Sequence, residues 1–110
     1  MQFSHISVIT EKAKQGEVFV EATRVWVTDF RLHPFRVEWL RFEPDSQVTG
    51  PVREQPHVAY QVASIEDAAQ GLRVLLEPFR PRAGLRVGFY LSADGTVVEF
   101  MEYDQESSDA

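Results

Sequence analysis

Cysteine is absent from the 110 residues of the chain. The protein therefore forms no disulfide and has no thiolate to use in catalysis, although this absence does not by itself fix the redox compartment. A chain of this length buries roughly two-thirds of the surface that it exposes when unfolded, so no covalent or metal staple is needed merely to fold. We predict a single domain spanning residues 1–110.

Long hydrophobic runs are also absent. No segment is apolar for long enough to span a bilayer, and residues 1–20 lack the basic start, apolar run and small-residue cleavage site of a secretory signal. These absences predict a cytoplasmic protein that does not associate with a membrane.

Basic residues are few and form no block. The chain has 11 Lys and Arg against 17 Asp and Glu, for a net charge of −6. Nucleic acid is therefore not an expected partner. Arg80, Arg82 and Arg86 form the one local concentration of arginine. Their planar guanidinium groups suit an anionic ligand, but the simpler interpretation is a solvated segment that offsets nearby acidic residues.

Several catalytic and nucleotide-binding motifs are missing. The sequence contains no Gly-x-Gly-x-x-Gly, no P-loop, no Gly-x-Ser-x-Gly and no His-Glu-x-x-His. Each of these motifs supplies a specific backbone cradle, nucleophile or zinc ligand pair. Their absence argues against nucleotide binding and serine hydrolysis.

Alternating apolar and polar residues dominate the chain that remains. Such alternation, with many β-branched and aromatic residues, predicts strands over residues 3–10, 18–28, 35–42, 57–62, 85–91 and 96–103. One helix is predicted over residues 65–73, where Ser64 is a candidate N-cap. Asp94-Gly95 predicts a hairpin turn before the last strand. We therefore expect an α+β fold built mainly of sheet.

The two halves of the chain resemble each other. Residues 5–9 (HISVI) are echoed by residues 57–61 (HVAYQ), and residues 37–42 (VEWLRF) by residues 98–103 (VEFMEY). An internal duplication explains both pairs. We predict a first module at about residues 1–43, a linker rich in turn residues at 44–56, a second module at 57–103 and a frayed tail at 104–110.

Each half supplies a histidine at the start of one strand and a glutamate in a later strand. Because side chains alternate across a strand, Glu38, Leu40 and Phe42 share one face, as do Glu99, Met101 and Tyr103. A carboxylate on an otherwise apolar face is unfavourable unless a cation or donor meets it. Brought together by the repeat, two imidazoles and two carboxylates would suit a divalent transition metal: Zn²⁺, Ni²⁺, Mn²⁺, Fe²⁺ or Co²⁺.

This ordered His, Glu, His, Glu series resembles the metal site of the vicinal oxygen chelate superfamily, which includes glyoxalases, extradiol dioxygenases and bleomycin-resistance proteins. The resemblance covers most of the chain. It is most specific at residues 56–62 (PHVAYQV) and 98–100 (VEF). It implies two βαβββ-like modules forming a curved mixed sheet around a cleft. It also implies His5, Glu38, His57 and Glu99 as metal ligands.

The same resemblance implies a lyase, isomerase or epimerase that acts on a small molecule, with Glu38 or Glu99 as a catalytic base. The alternative is a metal-free module that binds a drug or another hydrophobic ligand in a cleft lined by Leu40, Phe42, Met101 and Tyr103. A purely structural or regulatory dimer is a third possibility, but it leaves the inward glutamates unexplained.

The first half departs from this family pattern at residues 11–16, where the sequence does not read as a full helix. The helix of the first module is therefore predicted to be reduced. Val37 and Trp39, which face away from the cleft, would then lie on a bare apolar sheet face. We predict a homodimer that covers it.

Overall fold

The computed structural model describes residues 1–105, and within them one mixed sheet of eight strands curls into a half-barrel. The strands are β1 Gln2–Ile9, β2 Val18–Val20, β3 Val25–Val27, β4 Val37–Phe42, β5 His57–Gln61, β6 Arg73–Arg82, β7 Leu85–Leu91 and β8 Val97–Tyr103. Within residues 1–105, helical structure is limited to a 3₁₀ turn, Phe30–Leu32, and two helices of four residues each, α1 Pro51–Glu54 and α2 Ile65–Ala68. A curved sheet with few helices agrees with the predicted α+β class.

The strand order is β2-β3-β4-β1-β5-β8-β7-β6, and the pairing on the two sides of the centre is the same. β1 runs parallel to β4, and β5 runs parallel to β8. The two central strands, β1 and β5, are antiparallel to each other. In the sheet described for residues 1–105, this β1–β5 pairing alone joins the first four strands to the last four.

The main core lies on the concave face of the sheet. Residues on β5 alternate between buried and less buried positions, whereas β7 and β8 each contain a run of consecutive buried residues, as strands covered on both faces do. The buried members of this core are Val48, Val52, Ala59, Leu85, Val87, Phe89, Val97 and Met101. Val48 and Val52 belong to the segment predicted as a linker, so this connection also closes part of the core.

A smaller apolar cluster lies on the opposite face, under α2. Ile65 is fully buried there against Tyr90 and Phe100. The Ser64 side chain accepts a hydrogen bond from the Asp67 backbone N–H, which confirms the predicted N-cap. One outer face of the sheet is therefore covered by a helix.

Three sequence-based element predictions need correction. The strand predicted at residues 18–28 is two short strands, because a turn at residues 21–24 folds β2 back onto β3. The helix predicted at residues 65–73 ends after Ala68, and Gly71 has a φ of +82°, a conformation that favours glycine and ends helices. β4 begins at Val37, two residues later than predicted, after a turn at residues 34–35.

Strand β6 was not predicted from the sequence. It contains Pro78 and Pro81, which cannot donate to a ladder, but it lies at the edge of the sheet, where proline is tolerated. Its pairing with β7 is interrupted by several register shifts.

The last hairpin follows the prediction. Gly95 has a φ of +89°, Ser92 N–H donates to the Thr96 carbonyl, and β7 and β8 are antiparallel neighbours. The predicted frayed tail lies outside the described residues from position 106 onward, while the Asp104 backbone N–H donates to the Gly84 carbonyl. No helix within residues 1–105 is long and apolar enough to cross a membrane.

Candidate metal centre

The structure brings together all four of the predicted ligand residues. His5 on β1, Glu38 on β4, His57 on β5 and Glu99 on β8 each offer one ligand atom, and these four atoms lie within 4.8 Å of one another. The residues are separated by up to 94 positions in sequence, the difference between 99 and 5. Strand pairing, not sequence proximity, therefore builds the cluster.

The strand registers explain this convergence. Ser7 lies beside Glu38 in the parallel pair β1–β4, and Ala59 lies beside Glu99 in the parallel pair β5–β8. Each histidine precedes that neighbour by two residues, so it faces the same side of the sheet. In the central pair, Ser7 is opposite His57 and His5 is opposite Ala59. The two halves therefore present the same positions to a shared centre.

A bulge in β1 adjusts the direction of the first histidine. The pairing with β5 shifts between Phe3 and His5, which leaves Ser4 as an extra residue. Phe3 packs against Tyr60, with ring centroids 6.1 Å apart, while His5 is buried at the centre. The bulge thus separates an outward aromatic residue from an inward histidine only two positions later.

Each of the four side chains takes part in a hydrogen bond. Ser7 donates its hydroxyl to Glu38 Oε1 at 2.6 Å, and His57 Nε2 lies 3.0 Å from Glu99 Oε1. His5 Nδ1 lies 2.9 Å from the Ser4 hydroxyl. These contacts fix the directions of the candidate ligand side chains, as hydrogen bonds to metal-binding residues do in metal sites.

Within residues 1–105, two buried nitrogens of the cluster have no hydrogen-bond partner: His57 Nδ1 and His5 Nε2. His5 Nε2 lies 3.5 Å from Glu38 Oε1 and 3.6 Å from Glu99 Oε1, at or beyond the limit of a hydrogen bond, so the attraction is mainly ionic. The His5 ring stacks on Phe30 at a centroid distance of 4.1 Å, which fixes its plane. This buried nitrogen and the two carboxylates are close enough together to ligate one cation.

Burial and charge shift the titration of the cluster. Burial by itself lowers the pKa of His5, but the carboxylates of Glu38 and Glu99 outweigh it and raise that pKa to about 9. Burial opposes ionisation of Glu99, but the hydrogen bonds and positive charge of His5 and His57 hold the pKa of its carboxyl below the usual range. Without a metal, the protonated His5 imidazole therefore offsets part of the carboxylate charge, and a bound dication would take its place and release its proton.

The donor set fits a divalent transition metal. Two imidazole nitrogens and two carboxylate oxygens suit zinc and its neighbours. Ligands about 2.1 Å from one ion lie at most about 4.2 Å apart, so the atoms need to draw together by about half an ångström. Side-chain rotation provides this movement.

The four residues lie on the wall of a cavity of about 300 Å³ on the concave face of the sheet. Leu40, Phe42 and Met101, which were predicted to line a cleft, lie on this wall. Tyr103 packs against the main core instead.

Sequence reasoning missed two residues of the site, Ser7 and Phe30. Ser7 is fully buried and holds Glu38, and its position two residues after a histidine on the same strand face was the available signal. Phe30 belongs to the 3₁₀ turn and reaches the site from an irregular loop, so no periodic pattern marked it.

The arginine concentration does not form one anion site. Arg80 pairs with Asp104, and Arg86 makes bidentate contacts with Glu66 and further contacts with Glu102. Of these three arginines, Arg82 alone lies on the cavity wall, with its guanidinium 5.7 Å from the centre of the Tyr103 ring. Two of the three arginines thus offset acidic side chains.

The outer face of the first half is covered differently from that of the second. Residues 11–17 form turns without a helix, and the Lys14 ammonium lies 4.3 Å from the centre of the Trp39 ring. Glu17 and Arg41 form a bidentate pair, which lowers the pKa of Glu17. Trp39 and Val37 are only half-buried in a shallow groove.

Comparison of the chain with protein-family models and with curated proteins finds no match.

Proposed function

We propose that the protein is a divalent-metal-dependent enzyme of the vicinal oxygen chelate type, a lyase, isomerase or epimerase acting on a small molecule. The observation that carries this proposal is the convergence of two imidazoles and two carboxylates on the wall of a largely apolar cavity. Groups of this kind are costly to bury without a cation, and such sites are typically functional.

The repeat supports the same proposal. We infer that residues 1–43 and 57–103 are two βαβββ-like modules, the first with its helix reduced to a turn. Matching parallel pairs, β1–β4 and β5–β8, and matching positions for each histidine and glutamate support this inference.

His5 and His57 would hold the cation together with Glu38 and Glu99. When bound, it would supply a Lewis acid that polarises an oxygen of the substrate. We assign proton transfer to Glu38, because its side chain is 16% exposed against 9% for Glu99 and therefore more accessible from the cavity. Glu99, which already accepts from His57, would act mainly as a ligand.

Elemental analysis of protein purified without chelator tests the proposal. We expect about one metal ion per chain, and we expect Glu99→Gln to weaken metal binding by more than about a hundredfold, since the amide keeps the shape but removes the charge. The matched control is Glu102→Gln. Glu102 lies on the same strand but contacts Arg86 on the other face, so this variant should retain metal.

A second function, metal-free binding of a hydrophobic small molecule, is favoured by the apolar lining of the cavity. The same measurement separates the two. Wild-type protein that takes up no metal even after incubation with each candidate ion would contradict the enzyme and support the binding module.

A further inference from the structure

The cavity changes character with distance from the candidate metal centre. Along β4, Glu38 is followed on the same face by Leu40 and Phe42, and along β8, Glu99 is followed by Met101. The facing wall is formed by β6 and β7, which contribute aliphatic and aromatic side chains that include Leu76, Phe79, Val87 and Phe89. The cavity therefore combines one polar group of residues with walls that are mostly apolar.

The other polar residues on the wall offer little to a charged ligand inside the cavity. Asp29 and Arg31 are exposed and bind each other through several hydrogen bonds. The Thr28 hydroxyl accepts from the Trp39 backbone N–H. Arg82 is exposed, so its charge lies in solvent at the rim rather than in the interior. A charged group placed against the apolar walls would lose its hydration without a partner.

The space limits the size of the molecule. A volume of about 300 Å³ is at the lower end of the range for small-molecule pockets. Beyond the four polar residues, such a cavity suits a short alkyl chain or one aromatic ring.

We propose that the natural ligand carries an uncharged apolar substituent that fills the Leu40, Phe42, Phe79 part of the cavity, while its oxygen-bearing polar end meets the candidate metal centre. This inference rests on the proposed function and adds the substrate class. It excludes molecules whose far end is a phosphate, a carboxylate or a peptide.

A series of alkyl hydroxamates tests the proposal, because each has the same bidentate oxygen head and differs only in its tail. Calorimetry with metal-loaded protein should show affinity rising about fourfold for each added methylene from acetohydroxamate onward, until the cavity is full. Suberic monohydroxamate, whose tail ends in a carboxylate, should bind at least about tenfold more weakly than octanohydroxamate. Equal or tighter binding of the carboxylate would overturn the proposal and point to Arg82 as an anion anchor.

Two substitutions on β6 change the volume of the cavity, one by filling it and the other by enlarging it. Leu76→Trp should abolish the gain from longer tails, while Phe79→Ala should extend the gain to longer tails. Val74→Trp is the matched control, since Val74 is on the same strand, is 46% exposed and does not line the cavity. Acetohydroxamate should bind all three proteins as it binds the wild type, which shows that each variant has folded with an intact centre.

The outcomes separate this proposal from the one on which it rests. Acetohydroxamate that binds with no dependence on tail length would overturn the substrate class alone. Protein that takes up no metal would overturn both.

Discussion

The two halves of the sheet place a glutamate at equivalent positions, but the two glutamates accept hydrogen bonds from different residues. In the first half Ser7 lies beside Glu38 and donates a hydrogen bond to it, whereas in the second half the corresponding residue is Ala59, which has no hydroxyl. Glu99 instead accepts from His57. Equivalent strand positions therefore produce two carboxylates with different surroundings, which is why we give them different roles.

The outer faces of the two halves are covered by different kinds of side chain. α2 covers the second half with apolar contacts among Ile65, Tyr90 and Phe100. The first half has a turn segment in place of a helix, and its cover is polar: the Lys14 contact with Trp39 and the Glu17 pair with Arg41. Burial of apolar side chains stabilises more than a partly buried ion pair, whose attraction is offset by desolvation, so we expect the second half to be the more stable part.

The largest predicted effect is a loss of stability on changing the apolar residues under α2. Ile65→Ala should lower the free energy of unfolding by about 2–5 kcal/mol, because it opens a cavity at a fully buried position. Lys14→Ala, in the cover of the first half, should lower it by only about 0.5–1 kcal/mol. Urea titrations of both variants measure the difference, and equal losses would show that the two covers stabilise the fold alike.

The second prediction concerns the pH dependence of stability that arises from His5 in the first half and Glu99 in the second. The raised pKa of His5, about 9, contributes stability that is fully present below about pH 6.5 and is lost as pH rises through about 9. The lowered pKa of Glu99 contributes stability that is present above about pH 4.5 and is lost as pH falls. For metal-free protein we expect maximal stability between these limits, with changes on the order of a few kcal/mol.

Urea titrations in the presence of a chelator, across this pH range, measure that profile. His5→Gln should remove the alkaline decline, because an amide does not titrate there. The same decline in this variant would show that another group causes it.

The third prediction is the homodimer. Trp39 and the 85% exposed Leu32 line the groove on the outer face of the first half, and we propose that a second copy covers it. Trp39→Glu should then weaken association by about a hundredfold, as expected for losing about 100 Å² of buried apolar area. Light scattering at tens of micromolar measures the change. Val74→Glu is the control on the second half, and a monomeric wild type would end the proposal.

The smallest predicted effect concerns Ser7. Ser7→Ala should weaken metal binding by about tenfold, the lower range for loss of a hydrogen bond that orients a ligand. Ala59→Ser makes the reciprocal change by placing a hydroxyl beside Glu99, and it should not weaken binding. Metal titration of both variants checks the contrast. If Ser7→Ala binds metal as the wild type does, Ser7 is not a positioning residue.

The sequence predicted the strands that are rich in β-branched and aromatic residues. Burial alternates along β5, whereas β7 and β8 are buried on both faces, by the main core on one side and by the cluster under α2 on the other. The edge strand β6 has two prolines and several register shifts, which obscure any alternation. The turn at residues 21–24 contains neither glycine nor proline, so nothing in its composition marked the break between β2 and β3.

The candidate site was predictable because its four residues lie on strands. Each of its four residues occupies a regular position in a repeated strand pair, so the echo between residues 5–9 and 57–61 was enough to select the histidines. The stacking of Phe30 on His5 was not predictable, because it depends on the path of a loop. Regular positions are encoded locally, whereas loop contacts depend on the completed fold.

The β1–β5 pairing is the seam of the sheet, and His5 and His57 lie on its two sides. Bending at this seam changes the distance between the two pairs of candidate ligands. A cation held by both pairs would link the two halves, and its binding free energy would oppose their separation. A change in the angle between the halves would therefore change the affinity for the ion, and binding of the ion would in turn favour one angle.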